Sequence, residues 1–200
     1  MTVYPITDVS LTKLSHRAQV ERLIAGGAKI IQLRDKNAAP KDFFADAARA
    51  LEIARKKSVK IIINDRVDIA LALKADGVHL GQDDLPPAEA RKILGENAII
   101  GFSTHSINQA VEAVKLPVDY IAVGPVFPTR TKENPDAVVG IETVKAVRAS
   151  IGNFPLVAIG GINFQNFREV LDAGADSVAV IGDLLCEPDR ISETLKKFLA

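Results

Sequence analysis

The chain has 200 residues, and its 25 Lys or Arg against 25 Asp or Glu give a formal net charge of +0, which speaks against nucleic-acid or anionic-membrane partners. Hydrophobic residues make up 48% of it and proline only 10 positions, which excludes a disordered chain and supplies a sizeable core. The lone Cys186 rules out an intramolecular disulfide framework, and neither a zinc-type Cys/His spacing nor a leader or bilayer-length apolar run occurs, so a cytoplasmic setting is expected.

Short β-rich runs alternate with segments of helical period along the whole sequence. Strands are expected at 3–6, 29–33, 60–63, 77–80, 98–102, 120–123, 156–159 and 177–181. Helices are expected between and after them near 17–25, 41–56, 67–73, 87–94, 108–114, 142–150, 165–171 and 189–199. In the second helix Phe43, Phe44, Ala47, Leu51 and Ala54 fall at helical steps and form an apolar stripe. Most strands lack period-two alternation, as strands covered on both faces do. Glycines in 25–28, 75–77 and 173–176 sit where a helix stops and a strand begins, so left-handed caps are expected there.

Eight strand-helix pairs are the number that closes a parallel barrel. At about 25 residues per pair there is little room for a second domain, so the expected architecture is a single (β/α)₈ TIM barrel over 1–200. An open doubly wound sheet fits less well, because no G-x-G-x-x-G follows the first strand.

Function in such a barrel sits at the C-terminal ends of the strands. Those positions hold Asp8; Gln32, Arg34, Asp35 and Lys36; Asn64 and Asp65; Gln82, Asp83 and Asp84; Ser103, Thr104 and His105; Thr129, Thr131 and Lys132; Gly160 and Gly161; and Gly182 and Asp183. Arg34, Lys36 and Lys132 converge in principle on one anion, for which a phosphorylated ligand is the natural candidate. Asp65 and Asp84 follow neighbouring strands, so their carboxylates suit one Mg²⁺ that also takes phosphate oxygens. Helix capping is the competing explanation for both. Asp68 and Asp83 read as structural carboxylates, and His16 and His79 as structural histidines.

The strand-seven Gly160-Gly161 turn and the Ile181-Gly182 turn after strand eight occupy the two loops that build the phosphate cup of many barrels. The loop over 124–140 is the longest, and its hydroxyls and Lys132 suit a lid over phosphate. Ser103 and His105 are too close in sequence for a nucleophilic pair, and Ser106 to Gln109 is a capping box. Cys186 is expected to be a buried or semi-buried inert thiol.

Tyr4-Pro-Ile-Thr-Asp8, Gln32-Leu-Arg-Asp-Lys36, Ile63-Asn-Asp-Arg66, Gly77-Val-His-Leu-Gly-Gln-Asp-Asp84, Gly101-Phe-Ser103, Gly124-Pro-Val-Phe-Pro-Thr-Arg-Thr-Lys132 and Ala158-Ile-Gly-Gly-Ile162 together resemble the thiamine phosphate synthase family over nearly the whole chain. The resemblance implies a transferase that couples a hydroxymethylpyrimidine diphosphate to a thiazole phosphate with release of diphosphate. It implies that Gln32, Leu33, Arg34, Asp35, Lys36, Asn64, Ser103 and Lys132 hold the pyrimidine diphosphate. Arg34, Lys36 and Lys132 would act on the leaving group. Thr129, Arg130, Thr131, Gly161, Ile181 and Gly182 would hold the thiazole phosphate, and Asp65 and Asp84 would hold Mg²⁺. The family commonly has Ser where this chain has Gly182. A thiazole tautomerase-like paralogue, a non-catalytic thiazole phosphate sensor and another phosphate-handling barrel are the alternatives. Phosphorylated small molecules are the expected partners, with no nucleic acid or membrane, and the sequence is compatible with a monomer or a homo-oligomer.

Overall fold

The computed structural model describes residues 2–129 and 136–200. Eight parallel strands close into a barrel in sequence order: β1 (Val3–Asp8), β2 (Ile30–Arg34), β3 (Lys60–Asn64), β4 (Gly77–Leu80), β5 (Ile99–Thr104), β6 (Tyr120–Val123), β7 (Leu156–Ile159) and β8 (Ser177–Val180). Around them lie α1 (Val9–Thr12), α2 (His16–Ala25), α3 (Pro40–Lys56), α4 (Val67–Leu73), α5 (Pro87–Leu94), α6 (Ile107–Ala113), α7 (Gly140–Ile151), α8 (Phe167–Asp172), α9 (Gly182–Leu185) and α10 (Ile191–Leu199). The eight expected pairs are all present. The sequence reading lacked α1 and α9, each a single turn too short to show a period, and the 3₁₀ turn Pro188–Arg190.

Each strand side chain faces either the barrel axis or the helices, because direction alternates with period two. Ile31, Leu33, Ile61, Ile63, Val78, Leu80 and Ile100 belong to the large core between sheet and helices. Tyr4, Ile6, Ile62, Tyr120, Ala122, Val157 and Ala179 form a smaller cluster inside the barrel. Both faces are therefore buried, which is why alternation was absent from the sequence. Helix α3 starts on Pro40 and buries Phe43, Ala47, Ala50, Leu51 and Ala54, whereas Phe44, counted in the expected stripe, is exposed.

Two expected left-handed glycines occur, Gly27 at φ 102° and Gly174 at φ 106°. Gly77 departs from that expectation: Lys74 takes the left-handed position after α4, and Gly77 is small because a Cβ there would lie 1.9 Å from the Ile99 carbonyl oxygen. Cys186 also departs from expectation, since it is exposed rather than buried. No helix among the described residues is long and apolar enough to cross a membrane.

Candidate active site

The C-terminal ends of the strands surround a cavity of about 780 Å³. Strand phase decides who reaches it. On β2, Gln32 and Arg34 point in, while the intervening Leu33 is fully buried against the helices. Leu33 therefore cannot present its side chain to a ligand, which corrects the carry-over of the whole Gln32-to-Lys36 run. Asp35 is also absent from the cavity wall. Its carboxylate accepts from the Asn37 and Ala38 backbone N–H groups and lies 3.8 Å from His16 Nε2, so it shapes the turn into α3.

Arg34 donates to Asp8 at 3.0 Å, and the other Asp8 oxygen accepts from Ser10 and Leu11 N–H as the N-cap of α1. The short helix α1 thus exists because Asp8 caps it, and the same carboxylate fixes the Arg34 guanidinium at the rim. A carboxylate so fully engaged is poorly placed as a general base.

Asp65 directly follows β3 with φ 61°, a conformation that costs a non-glycine residue about 1–3 kcal/mol and recurs at functional sites. Its N–H donates to the His79 carbonyl and its carboxylate pairs with Lys36. The N-cap position of α4 belongs to Arg66, and α5 is capped at Pro86, so neither Asp65 nor Asp84 serves as a helix cap. Asp84 instead accepts from the Gly81 N–H at 2.6 Å and turns toward Asp65. Burial raises the Asp84 carboxyl above the usual range, and the neighbouring Asp65 charge adds to this while Lys36 opposes it. Two acids brought together are a donor set for a hard cation completed by substrate oxygens. Among the described residues no larger His/Cys/Asp/Glu cluster exists. Asp83, expected to be structural, also lines the cavity, whereas Asp68 pairs with Arg66 outside it.

Asn64 and Ser103 face the cavity from β3 and β5. Ser103 Oγ lies 2.9 Å from His79 Nε2, and His79 Nδ1 lies 2.9 Å from the Tyr120 hydroxyl. Tyr120 is 3.1 Å from the Tyr4 hydroxyl, which accepts from Gln32 Nε2 at 3.3 Å. Burial pushes the His79 pKa down to about 4 and the Tyr4 pKa up to about 12, and it raises Tyr120 as well. The sequence reading set His79 aside as structural and did not select Tyr4 or Tyr120. The available signal was phase: each carries a hydroxyl or ring nitrogen on the inward step of a buried strand.

On the opposite wall Thr129, Gly161, Ile181 and Gly182 line the cavity together. Gly161 has φ 65°, and a Cβ there would meet the Pro128 carbonyl oxygen at 2.5 Å, so only glycine lets the β6 loop pack this closely on the end of β7. Val126 and Phe127 N–H groups donate to the Ile159 and Gly160 carbonyls, which anchors the start of that loop. His105 Nδ1 donates to the Gly124 carbonyl at 2.6 Å, tying the β5 and β6 ends together. The capping box holds in modified form: Ser106 accepts from Gln109 N–H, and the Gln109 side chain reaches back to His105 N–H. Arg130, Thr131 and Lys132 lie outside the described residues.

A carboxylate pair, a cationic rim and a glycine-lined cup thus share one barrel mouth, and comparison with known proteins fits this geometry. The family model for thiamine monophosphate synthase matches residues 3–184. The chain belongs to the thiamine monophosphate synthase family. Among relatives, the thiamine-phosphate synthase of Koribacter versatilis is 47% identical over 190 residues, covering 94% of this chain and 88% of that protein. That of Chloroflexus aurantiacus is 43% identical over 188 residues, covering 94% and 86%. The solved thiamine phosphate pyrophosphorylase from Pyrococcus furiosus superposes with a TM-score of 0.87 at 38% identity, over 99% of this chain and 93% of that one. As a member of this synthase family the protein is an enzyme, a transferase, and its fold is the (β/α)₈ barrel expected from the sequence.

Proposed function

We propose that the protein joins 4-amino-2-methyl-5-(diphosphooxymethyl)pyrimidine to 4-methyl-5-(2-phosphoethyl)thiazole, or to the carboxylated form of that thiazole, giving thiamine phosphate and diphosphate. The observation that carries this reading is the juxtaposition of Asp65 and Asp84 beside Lys36 and Arg34 at one mouth. Two carboxylates with nearby cations suit a diphosphate bound through a divalent ion, and the family membership selects which diphosphate.

In this proposal Asp65 and Asp84 hold Mg²⁺, which when bound neutralises charge that develops on the departing diphosphate. Arg34, oriented by Asp8, and Lys36 add fixed positive charge on the same side. Lys132 is assigned the same role. The methylene carbon–oxygen bond breaks with its electron pair leaving on diphosphate, and the electron-rich aminopyrimidine stabilises the cation that remains. The thiazole nitrogen lone pair then forms the new carbon–nitrogen bond. No protein nucleophile is required, and the contribution of the site is alignment and charge stabilisation. Gln32, Asn64 and Ser103 orient the pyrimidine half. Thr129, Gly161 and the Ile181-Gly182 turn hold the thiazole phosphate, with Arg130 and Thr131 assigned beside them.

The test is chromatographic detection of thiamine phosphate from the two purified substrates. Stoichiometric product and diphosphate are expected. Absence of product while thiazole phosphate still binds would replace this reading with the tautomerase-like or sensor alternative.

A further inference from the structure

Inside the barrel, below the mouth, five polar side chains from five different strands touch in sequence: Gln32 on β2, Tyr4 on β1, Tyr120 on β6, His79 on β4 and Ser103 on β5. The line crosses a core packed by Ile6, Ile62, Ala122, Val157 and Ala179. Room for it is made by Gly101. In the β-ladder Gly101 lies between His79 and Tyr120, and a Cβ on it would come within 2.1 Å of the Tyr120 ring and 2.5 Å of His79 Nδ1.

The protons in the line can be followed from the Gln32 amide. Gln32 Nε2 donates to the Tyr4 oxygen, and the buried Tyr4 proton goes to the Tyr120 oxygen, the other polar atom that its hydroxyl meets. Tyr120 then has its own proton for His79 Nδ1, which must be unprotonated to accept it. A doubly protonated imidazole would leave the buried Tyr120 hydroxyl proton without an acceptor. The remaining proton of the neutral ring is on Nε2, and it is donated to Ser103 Oγ. Ser103, having accepted, keeps its hydroxyl proton for the cavity it lines. At the other end the Gln32 amide also hydrogen-bonds Tyr120, which occupies its second proton, so the carboxamide oxygen is the group left to accept.

We propose that Tyr4, Tyr120 and His79 are positioning residues that polarise the site in one direction, fixing Ser103 as a hydrogen-bond donor and Gln32 as an acceptor toward the pyrimidine substrate. This rests on the proposed function for the identity of that substrate. Its consequence is selectivity: the site favours a ligand with an acceptor atom at Ser103 and a donor such as an exocyclic amine at Gln32, and disfavours one in which these are exchanged.

The experiment is ¹⁵N NMR of the histidine rings in the intact protein, with His79 assigned by the signal lost in H79Q, together with calorimetric titration of Tyr120→Phe. In the wild type His79 is expected as the Nε2–H tautomer. In Tyr120→Phe the Kd for the pyrimidine diphosphate rises at least tenfold and that for thiazole phosphate changes less than twofold. An Nδ1–H tautomer in the wild type would reverse the chain and overturn the proposal, and so would equal losses for both ligands. If Tyr120→Phe does not fold, the wild-type tautomer still decides the direction. That result is independent of whether the two substrates are coupled, so failure of the proposal is distinguishable from failure of the functional reading.

Discussion

The two ends of this barrel use aspartate in opposite ways. At the N-terminal end Asp76, Asp119 and Asp176 stand one residue before β4, β6 and β8, and each accepts from a backbone N–H at the start of the preceding strand: Ile61, Ile100 and Leu156. Asp119 and Asp176 are also paired with Arg91 and Arg148, whose guanidinium groups bind several loop carbonyls as well. At the C-terminal end Asp65 and Asp84 meet side by side on the cavity wall, and Asp84 is held above its usual titration range. The first arrangement completes hydrogen bonds that the fold needs. The second brings like charges together beside a single paired lysine, an arrangement that recurs at ligand sites.

The sharpest way to break this contrast is to exchange the consequences. Asp65→Ala and Asp84→Ala are expected to lower turnover at least about a hundredfold while leaving the circular dichroism spectrum and Tm near wild type. Loss of folding would instead make them structural, like the lower ring.

A second effect separates the buried polar groups below the mouth from solvated ones. The ordinary His pKa near 6.5 falls to about 4 for His79, so between those values the unfolded chain binds more protons than the native one. Stability contributed by His79 is present above pH 6.5 and is lost as pH falls toward 4, up to about 3 kcal/mol in all. Urea unfolding at pH 7 and at pH 4.5 should show a larger loss for the wild type than for His79→Asn. A smaller loss would mean that the ring is not buried in its neutral form.

The lower ring should respond in stability alone. Asp119→Ala leaves the Ile100 N–H without its carboxylate and should cost about 1–3 kcal/mol, measured by denaturant unfolding, with KM and kcat of the folded enzyme unchanged. A change in KM for either substrate would contradict the division between the two ends.

The smallest effect concerns the family's usual serine. Gly182 opens α9 and is not among the glycines with positive φ, so serine fits its backbone. If the phosphate is held there by backbone N–H groups, Gly182→Ser changes the thiazole phosphate KM by less than about threefold in steady-state kinetics. A tenfold gain would show that the hydroxyl is a ligand this chain lacks.

The same contrast explains what the sequence made legible. The eight pairs could be read because doubly covered strands and amphipathic helices carry strong local patterns. The hydrogen bonds of Asp76, Asp119 and Asp176 were not legible, since each joins consecutive strands across an intervening helix. Gln32, Arg34, Lys36, Asp65, Asp84 and Ser103 were legible as loop-proximal polar residues carrying recognisable motifs. Leu33 and Asp35 were swept in because a motif does not state which way a side chain points. Tyr4, His79 and Tyr120 were passed over for the converse reason: they lie within strands, and their role appears only when closure of the barrel brings β1, β4 and β6 together.

The central claim is that the mouth is a cation-dependent diphosphate site, and calorimetric binding of the pyrimidine diphosphate with Mg²⁺ and with a chelator tests it most directly. Binding at least tenfold tighter with Mg²⁺ in the wild type, and no such gain in an Asp65→Asn, Asp84→Asn double variant, is the predicted result. Equal affinity with and without the ion in the wild type would contradict it.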